Sequence, residues 1–492
     1  MQYFERQNDS LIFRLNGETV MVSPWGEDSL RTRAALFNEL SDNSPALLSP
    51  AKSEPVIELG ERQAVITNGK IHAVLSLQDW GDELQISYYN QKGELLLQEI
   101  PNGGALFLKA RRFQSLPGDS FFLTASFVSN PSEKIYGMGQ YQQETLNLKG
   151  CNLELAHRNS QASIPFYVSS LGYGFLWNNA AVGDVHFGTN TTQWTARSCK
   201  QLDYWITAGD TPAEIEEAYA NATGKSPMMP EYGLGFWQCQ LRYYNQEQVL
   251  SIAREYKKRN IPLDVIVIDF YHWPYCGDWR FDEEFFPDPA AMIKELQELG
   301  VETMVSIWPA VDFRSENYEE MKQQNMLVKS NSGVDVQMIF HGNNAFMDAT
   351  NPKTRRYVWE KCKQNYADLG IRTFWLDVAE PEYTSYDFEN YRYYSGTVLE
   401  TGNIYPREYA RLFYEGQKEN GQDDIVNLIR CAWAGSVTVL WSGPEILCQL
   451  MRTSVSRSVP ESIWDFPAFR GGQPISAVSI TALLQIPILK SC

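Results

Sequence analysis

The sequence predicts a multidomain protein in which an N-terminal antiparallel β-sandwich is followed by an incomplete (β/α)8 TIM barrel, with about five barrel strands readable. Three observations predict it. Short alternating strands separated by turn residues fill residues 1–225. From Glu231 the rhythm changes to strand, helix, strand, which signals a parallel sheet. The apolar strands of that second part end on acidic, basic or aromatic side chains, most plainly in Gly370–Glu382, GIRTFWLDVAEPE.

In the first part, Ala64–Ile66, Ile71–Leu77, Leu84–Tyr89 and Leu95–Glu99 alternate in hydropathy, and Asn68-Gly69 and Asn102-Gly103-Gly104 read as turns. Thr211–Thr223 opens on Thr-Pro and has a helical apolar period, so it reads as the helix leading out of the sandwich. Gly224–Pro230 is a linker by composition.

The second part, residues 226–436, is read as the first part of the barrel. Gly233–Gln238 is the expected first strand and Asn245–Arg259 the first helix. Leu263–Phe270, LDVIVIDF, is apolar on both faces, as a buried parallel strand should be. A helix over Ala290–Leu299 leads to a third strand over Val301–Trp308. Residues 312–342 are too long for a plain connection and are expected to form a small insertion over the barrel mouth. Pro352–Leu369 is a helix, and Gly370 sits where a C-cap glycine belongs. Thr373–Leu376 is the fourth strand, Glu408–Asn420 a helix, and Asp424–Ala432 the fifth strand.

On this reading Asp269, Trp308, Asp377 and Arg430 fall at or beside successive strand ends, where a barrel of this type gathers its active site. Each alone has a plain structural reading: Asp269 as a loop cap, Trp308 as core, Arg430 as a partner of Glu380.

The composition narrows the function. The chain of 492 residues carries a net charge of -18, which argues against a nucleic-acid partner, because phosphate binding needs a basic surface. The 14 Trp, 26 Tyr and 24 Phe suit sugar faces and sandwich cores equally. No apolar run approaches a membrane span, and the start, MQYFERQNDSLIFRLNG, has no apolar segment after a basic one, so a cytoplasmic location is expected. The eight Cys and five His are scattered without CxxC or HExxH spacing. Neither a metal nor a cofactor is expected. Oligomeric state is not readable.

WLDVAEPE and its flanks resemble the nucleophile segment of glycoside hydrolase family 31, the retaining α-glucosidases and α-xylosidases. That family places a carboxylate nucleophile at the strand end, a Glu three residues later and then Pro, which Asp377, Glu380 and Pro381 match. Lys134–Asn147, Arg158-Asn159, Ile164-Pro165-Phe166 and Gly172–Trp177 resemble its amino-terminal sandwich, whose loop reaches toward the sugar site. The resemblance implies a retaining α-glycosidase acting on terminal non-reducing α-linked sugars (glucoside or xyloside, with galactoside open) through a covalent glycosyl-Asp intermediate. It implies Asp377 as nucleophile, Asp269 as a contact to sugar hydroxyls, Arg430 as holding a hydroxyl or steadying the nucleophile's charge, Trp308 and Trp433 as apolar walls, and Glu380 in support. Asp348, in FMDATNP, is read as structural. Val378-Ala379 departs from the Met-Asn common in the α-glucosidases.

The family's acid/base is an Asp directly after Trp-Ser-Gly. Here Trp441-Ser442-Gly443 is followed by Pro444-Glu445, so that Asp is missing and activity is expected to be impaired. From Val437 to Cys492 the strand–helix alternation stops. Codon degeneracy allows the tail, read at one constant offset, to give two segments of the family pattern, the first restoring Trp-Ser-Gly-Asp. Residues 437–492 are therefore read as an out-of-frame tail after one small indel near Ser436. The alternative is a catalytically inactive carbohydrate-binding or degenerate form of such an enzyme.

Overall fold

The computed structural model describes residues 3–78, 83–101, 108–141, 145–159, 161–225, 229–383, 387–436 and 475–476. The Asn102-Gly103-Gly104 turn, the Trp441-Ser442-Gly443 stretch with Glu445, and nearly all of the 437–492 tail lie outside the described residues.

Alternation in the first part does what a half-buried strand requires. In Ile71–Leu77 the residues Ile71, Ala73, Leu75 and Leu77 are buried and those between are not. This strand pairs antiparallel with Gln63–Asn68, and Gly69 turns the chain at φ +55°. A Cβ there would lie 2.1 Å from the Asp28 carboxylate, so only glycine fits.

The sandwich is built from one eight-stranded sheet and two five-stranded sheets. The two smaller sheets are bridged between Glu99 and Phe127. All three share one apolar core in which Trp177, Trp194, Phe175, Tyr167 and Tyr204 pack ring against ring. Much of the aromatic content is thus spent on this core. The helix Pro212–Thr223 leaves the domain, and its N-cap Thr211 accepts a hydrogen bond from the Glu214 amide.

The second part is a parallel sheet whose five strands lie side by side in chain order: Trp237–Gln240, Val265–Ile268, Glu302–Ile307, Thr373–Leu376 and Val426–Ile429. Ile475–Ser476 pairs antiparallel with the first. The expected strand at Gly233–Gln238 begins later, because Glu231–Leu234 closes a 3-10 turn and only then does the backbone extend. The helix expected from Glu408 begins at Tyr405. Gly370 adopts φ +100° at the end of the third helix region, as expected of a C-cap glycine.

Strand parity decides what faces the barrel interior. Trp237, Cys239, Val265, Val267, Met304, Trp375 and Leu428 form a small inner cluster. The alternate residues Ile266, Ile268, Val305, Ile307, Phe374, Leu376 and Ile429 join the large outer core under the helices. Two residues beyond Val267, Ser306, Trp375 and Leu428 come Asp269, Trp308, Asp377 and Arg430. They keep the inward parity and stand just past the C-terminal ends of four adjacent strands.

Residues 310–346 form the insertion, a three-stranded antiparallel sheet of Ala310–Asp312, Met338–Ile339 and Asn343–Phe346 with a short helix at Tyr318–Gln323. Its tip, Phe340-His341, rests on the Trp308 ring.

The sandwich and barrel are joined by a polar seam. The Asn403 side chain donates to the Leu155 and Ala181 carbonyls, both at 2.9 Å, and Val182 N–H donates to Leu399 O at 3.0 Å. The seam pins the sandwich loop around residues 155–159 against the barrel.

Candidate active site

Four barrel strands deliver one compact cluster. Asp377 and Asp269 are 8% and 7% exposed, so the site is nearly dry and its charges interact strongly. Trp308 Nε1 donates to Asp377 Oδ2 at 3.0 Å, and Arg430 Nε lies 3.4 Å from Asp377 Oδ1. Both oxygens of Asp377 therefore face donors, and each retains a lone pair. The backbone reinforces its position. Asp377 N–H donates to Ile307 O at 3.0 Å, and the next residue, Val378, is buried with φ +55°. A β-branched residue in the left-handed region is strained, and such strain concentrates where a site is held in one geometry.

Arg430 is shared among three carboxylates. Its Nε is ion-paired with Glu380 Oε1 at 2.8 Å, and its Nη2 donates to Glu380 Oε2 at 2.8 Å and to Glu382 Oε2. Burial pulls the guanidinium pKa down, but Glu380, Asp377 and Glu382 together hold it well above its ordinary value. Burial pushes the Glu380 carboxyl up, and Arg430 pulls it part of the way back. The Arg430 fork reaches both Glu380 and Asp377.

Asp269 holds its proton more tightly than an ordinary carboxyl does. Burial pushes its carboxyl well above the usual range, the Asp377 charge adds to this, and the Phe270 amide, donating to Oδ1 at 2.7 Å, works against it. Behind it stands His272, whose Nδ1 meets the Asp269 carbonyl at 2.9 Å and whose Nε2 meets the Tyr366 hydroxyl at 2.9 Å. A carbonyl only accepts, so Nδ1 carries the proton and Nε2 accepts from Tyr366. Burial pushes this imidazole down to about 4, which keeps it neutral as a strut under the turn.

Trp308 is both core and site. Its ring stacks on Phe270 at 4.7 Å and 19°, while its N–H serves Asp377. Asp348 is engaged in its own loop, accepting from the Thr350 amide and hydroxyl and from the Tyr394 amide.

One expectation is corrected. Trp433, expected as an apolar wall of the pocket, belongs to the sandwich core and meets His157 edge-on at 5.7 Å. It lies past the end of its strand, where parity no longer aims a side chain inward, and the chain turns back beneath the sandwich.

Two polar residues join the site that sequence reasoning gave no role. Glu382 accepts from Arg430 on one oxygen and from Asn159 Nδ2, at 2.9 Å, on the other. Asn159 lies on the sandwich loop expected to reach the site, and it does reach it. The signal available for Glu382 was its place in the acidic run after Asp377. Among the described residues no group of three or more His, Cys, Asp or Glu is placed to hold a metal ion.

A site of this kind offers a carboxylate held by an indole and a guanidinium, a second protonatable carboxyl within its electrostatic reach, and an aromatic wall. That arrangement suits attack on an electrophilic carbon of a neutral polyhydroxylated ring.

Comparison with known proteins bears on that chemistry. Residues 226–463 match the model of the glycosyl hydrolases family 31 TIM-barrel domain, and residues 19–185 match the glycosyl hydrolase 31 N-terminal galactose mutarotase-like domain. The barrel match extends beyond Ser436. The chain is 48% identical over 455 residues to the uncharacterized family 31 glucosidase ORF2 of Pseudescherichia vulneris, covering 88% of this chain and 85% of the relative. It is 31% identical to alpha-xylosidase A of Aspergillus niger, covering 97% of this chain and 69% of the relative. Among solved structures, the GH31 α-xylosidase from a soil metagenome complexed with xylose superposes with a TM-score of 0.86 at 52% identity, over 91% of this chain and 69% of that one.

Proposed function

Because the chain belongs to glycosyl hydrolase family 31, and is thus a glycoside hydrolase of the α-xylosidase and α-glucosidase lineage, we propose that it is a retaining α-glycosidase with Asp377 as its nucleophile. The observation that carries the assignment is the convergence of Trp308 and Arg430 on the two oxygens of Asp377. The two contacts hold the carboxylate in one orientation for attack. An Asp377 oxygen bonds to the anomeric carbon as the aglycone oxygen leaves and takes a proton. Water then displaces Asp377 at the same carbon, so two inversions retain configuration. Asp269 and Arg430 hold hydroxyls of the ring, and the Trp308–Phe270 stack faces its apolar side.

The preferred sugar is α-xylose. Support comes from the similarity to two proteins named α-xylosidase, one of them complexed with xylose, and from Val378-Ala379, which departs from the α-glucosidase pattern. Turnover is impaired, because Pro444 stands where the family's acid/base Asp is found. Loss of a general acid costs about 10²–10⁴ in rate. The tail from Val437 is the out-of-frame product of a small indel. A second reading, a sugar-binding chain without turnover, is favoured by the same Pro444.

A panel of 4-nitrophenyl α-glycosides, with and without azide, tests the proposal. The phenolate leaves without a general acid, and azide attacks the glycosyl-enzyme without a general base. Fastest release from the xyloside, accelerated by azide with an α-xylosyl azide as product, is expected. No release from any α-glycoside, with or without azide, would leave the binding-only reading.

A further inference from the structure

Arg242 stands at the barrel mouth as a cation without an anion. The first two barrel strands run in register to their ends, with Gln240 beside Ile268. Arg242 follows the one end by two residues and Tyr271 follows the other by three, so both lie on the C-terminal face that carries Asp269, Trp308 and Asp377. The Arg242 guanidinium lies over two rings, Tyr271 at 5.2 Å and Tyr244 at 5.4 Å. Tyr271 in turn packs on Phe270 at 3.9 Å, Phe270 stacks on Trp308 at 4.7 Å, and the Trp308 indole donates to Asp377. A row of rings thus connects Asp377 to Arg242. Its outer members face solvent, Tyr271 being 43% and Tyr244 63% exposed. Tyr271 holds φ +75°, a left-handed backbone that a bulky residue adopts only at a cost, so the fold and not local preference sets its place beside the guanidinium.

The chain has 60 Asp and Glu against 42 Lys and Arg, so an arginine finds a carboxylate readily. Arg430 is filled by Glu380, Glu382 and Asp377. Arg314 also lies over a ring, Tyr275 at 4.3 Å, but gives its fork to Asp312. Among the described residues Arg242 has neither an ion pair nor a hydrogen bond. Ring contacts occupy the flat face of a guanidinium and leave free the N–H groups, which lie in its plane. Such a fork matches a carboxylate, two N–H donors to two oxygens. Arg242 and its two tyrosines are exposed where Asp269 and Asp377 are buried, so they meet the part of a substrate that projects from the site, its aglycone. We propose that Arg242 is a specificity-determining residue: with Tyr271 and Tyr244 it forms a site for a carboxylate borne by the aglycone, so that the chain favours α-glycosides with an acidic aglycone over neutral ones. This rests on the reading of the Asp377 cluster as a sugar site.

The test compares two α-xylosides of equal shape, 4-carboxyphenyl and 4-carbamoylphenyl 1-thio-α-D-xylopyranoside, by titration calorimetry at pH 7 on the full chain. The sulfur linkage stays intact, so no turnover is needed. Free xylose should displace both, which secures the underlying reading. An exposed charge pair is worth a few-fold in affinity, so the unsubstituted chain should bind the carboxylate about 3- to 5-fold more tightly than the amide. The preference should shrink as sodium chloride rises from about 0.05 to 0.5 M. Arg242→Gln should erase or reverse it, because the carboxylates of the site then repel the ligand unopposed. A merely structural arginine would weaken both ligands alike and leave their ratio unchanged. Should Arg242→Gln not fold, Arg242→Met, which keeps an unbranched stem against the rings, decides in the same way. Equal binding of the two ligands by the unsubstituted chain, or a preference that persists once the guanidinium is gone, overturns the inference alone. No binding of either ligand overturns the functional reading and the inference with it.

Discussion

Trp308 Nε1 and Asp377 Oδ2 are joined by a 3.0 Å hydrogen bond that crosses from the end of the third barrel strand to the end of the fourth. The two residues are 69 positions apart, and they meet because both keep the inward parity of adjacent parallel strands whose register pairs Ser306 with Trp375. The same bond makes Trp308 a reporter on Asp377.

Trp308→Phe keeps the stack on Phe270 and deletes the donor. A hydrogen bond to a charged group is worth about 1.5–3 kcal/mol, so the variant should lose about that much stability. Urea unfolding at pH 7 measures the loss. Unchanged stability would mean that the indole is only packing.

Asp269→Asn should raise stability while harming sugar binding. Burial raises the folded-state pKa of Asp269, so the folded protein holds this proton more tightly than the unfolded chain does. Stability from this group is fully present below the unfolded value, about 3.9, and is lost as pH rises toward the folded value. The variant does not titrate there. Its melting temperature should exceed that of the unsubstituted chain by a margin that grows above about pH 4, and calorimetric scans at several pH values measure it.

Arg430→Met leaves Glu380 buried without its cation. Removing one partner of a buried ion pair typically costs about 3–5 kcal/mol. Glu380 already has a raised pKa from burial, and losing Arg430 raises it further. The deficit should be largest at neutral and higher pH and shrink as pH falls and Glu380 takes up a proton. Urea unfolding at pH 5 and pH 8 gives the comparison, and equal deficits at both would contradict the assigned charge.

The coding DNA should contain a single small indel near Ser436 whose correction yields a long open frame encoding Trp-Ser-Gly-Asp. The corrected chain should hydrolyse natural glycosides faster by about 10²–10⁴. If no single indel there opens such a frame, the out-of-frame reading of the tail is gone.

How much of this could be read from the residues alone follows a physical line. Asp269, Trp308, Asp377 and Arg430 were readable because a buried parallel strand has a fixed period of two, and its end marks where chemistry is placed. Thr373–Leu376 was found with its true boundaries, since Gly370 and the helix before it frame it sharply. The first strand was placed too early because the 3-10 turn at Glu231–Leu234 leaves no periodic trace. Trp433 was misjudged because parity stops at the strand end, and only the fold shows the chain turning back under the sandwich. The Asn159–Glu382 contact spans 223 positions between two domains, a separation that no local pattern encodes. Its loop was recognisable by resemblance, but the partner was not.

The central claim is that Asp377 is the carboxylate that bonds to sugar. Incubation with 5-fluoro-α-D-xylosyl fluoride, followed by intact mass measurement and peptide mapping, tests it most directly, because fluoride leaves without a general acid. One fluoropentosyl adduct on the peptide containing Asp377, absent in Asp377→Asn, is the predicted result. An adduct on a different residue, or none on a folded chain, would contradict the account.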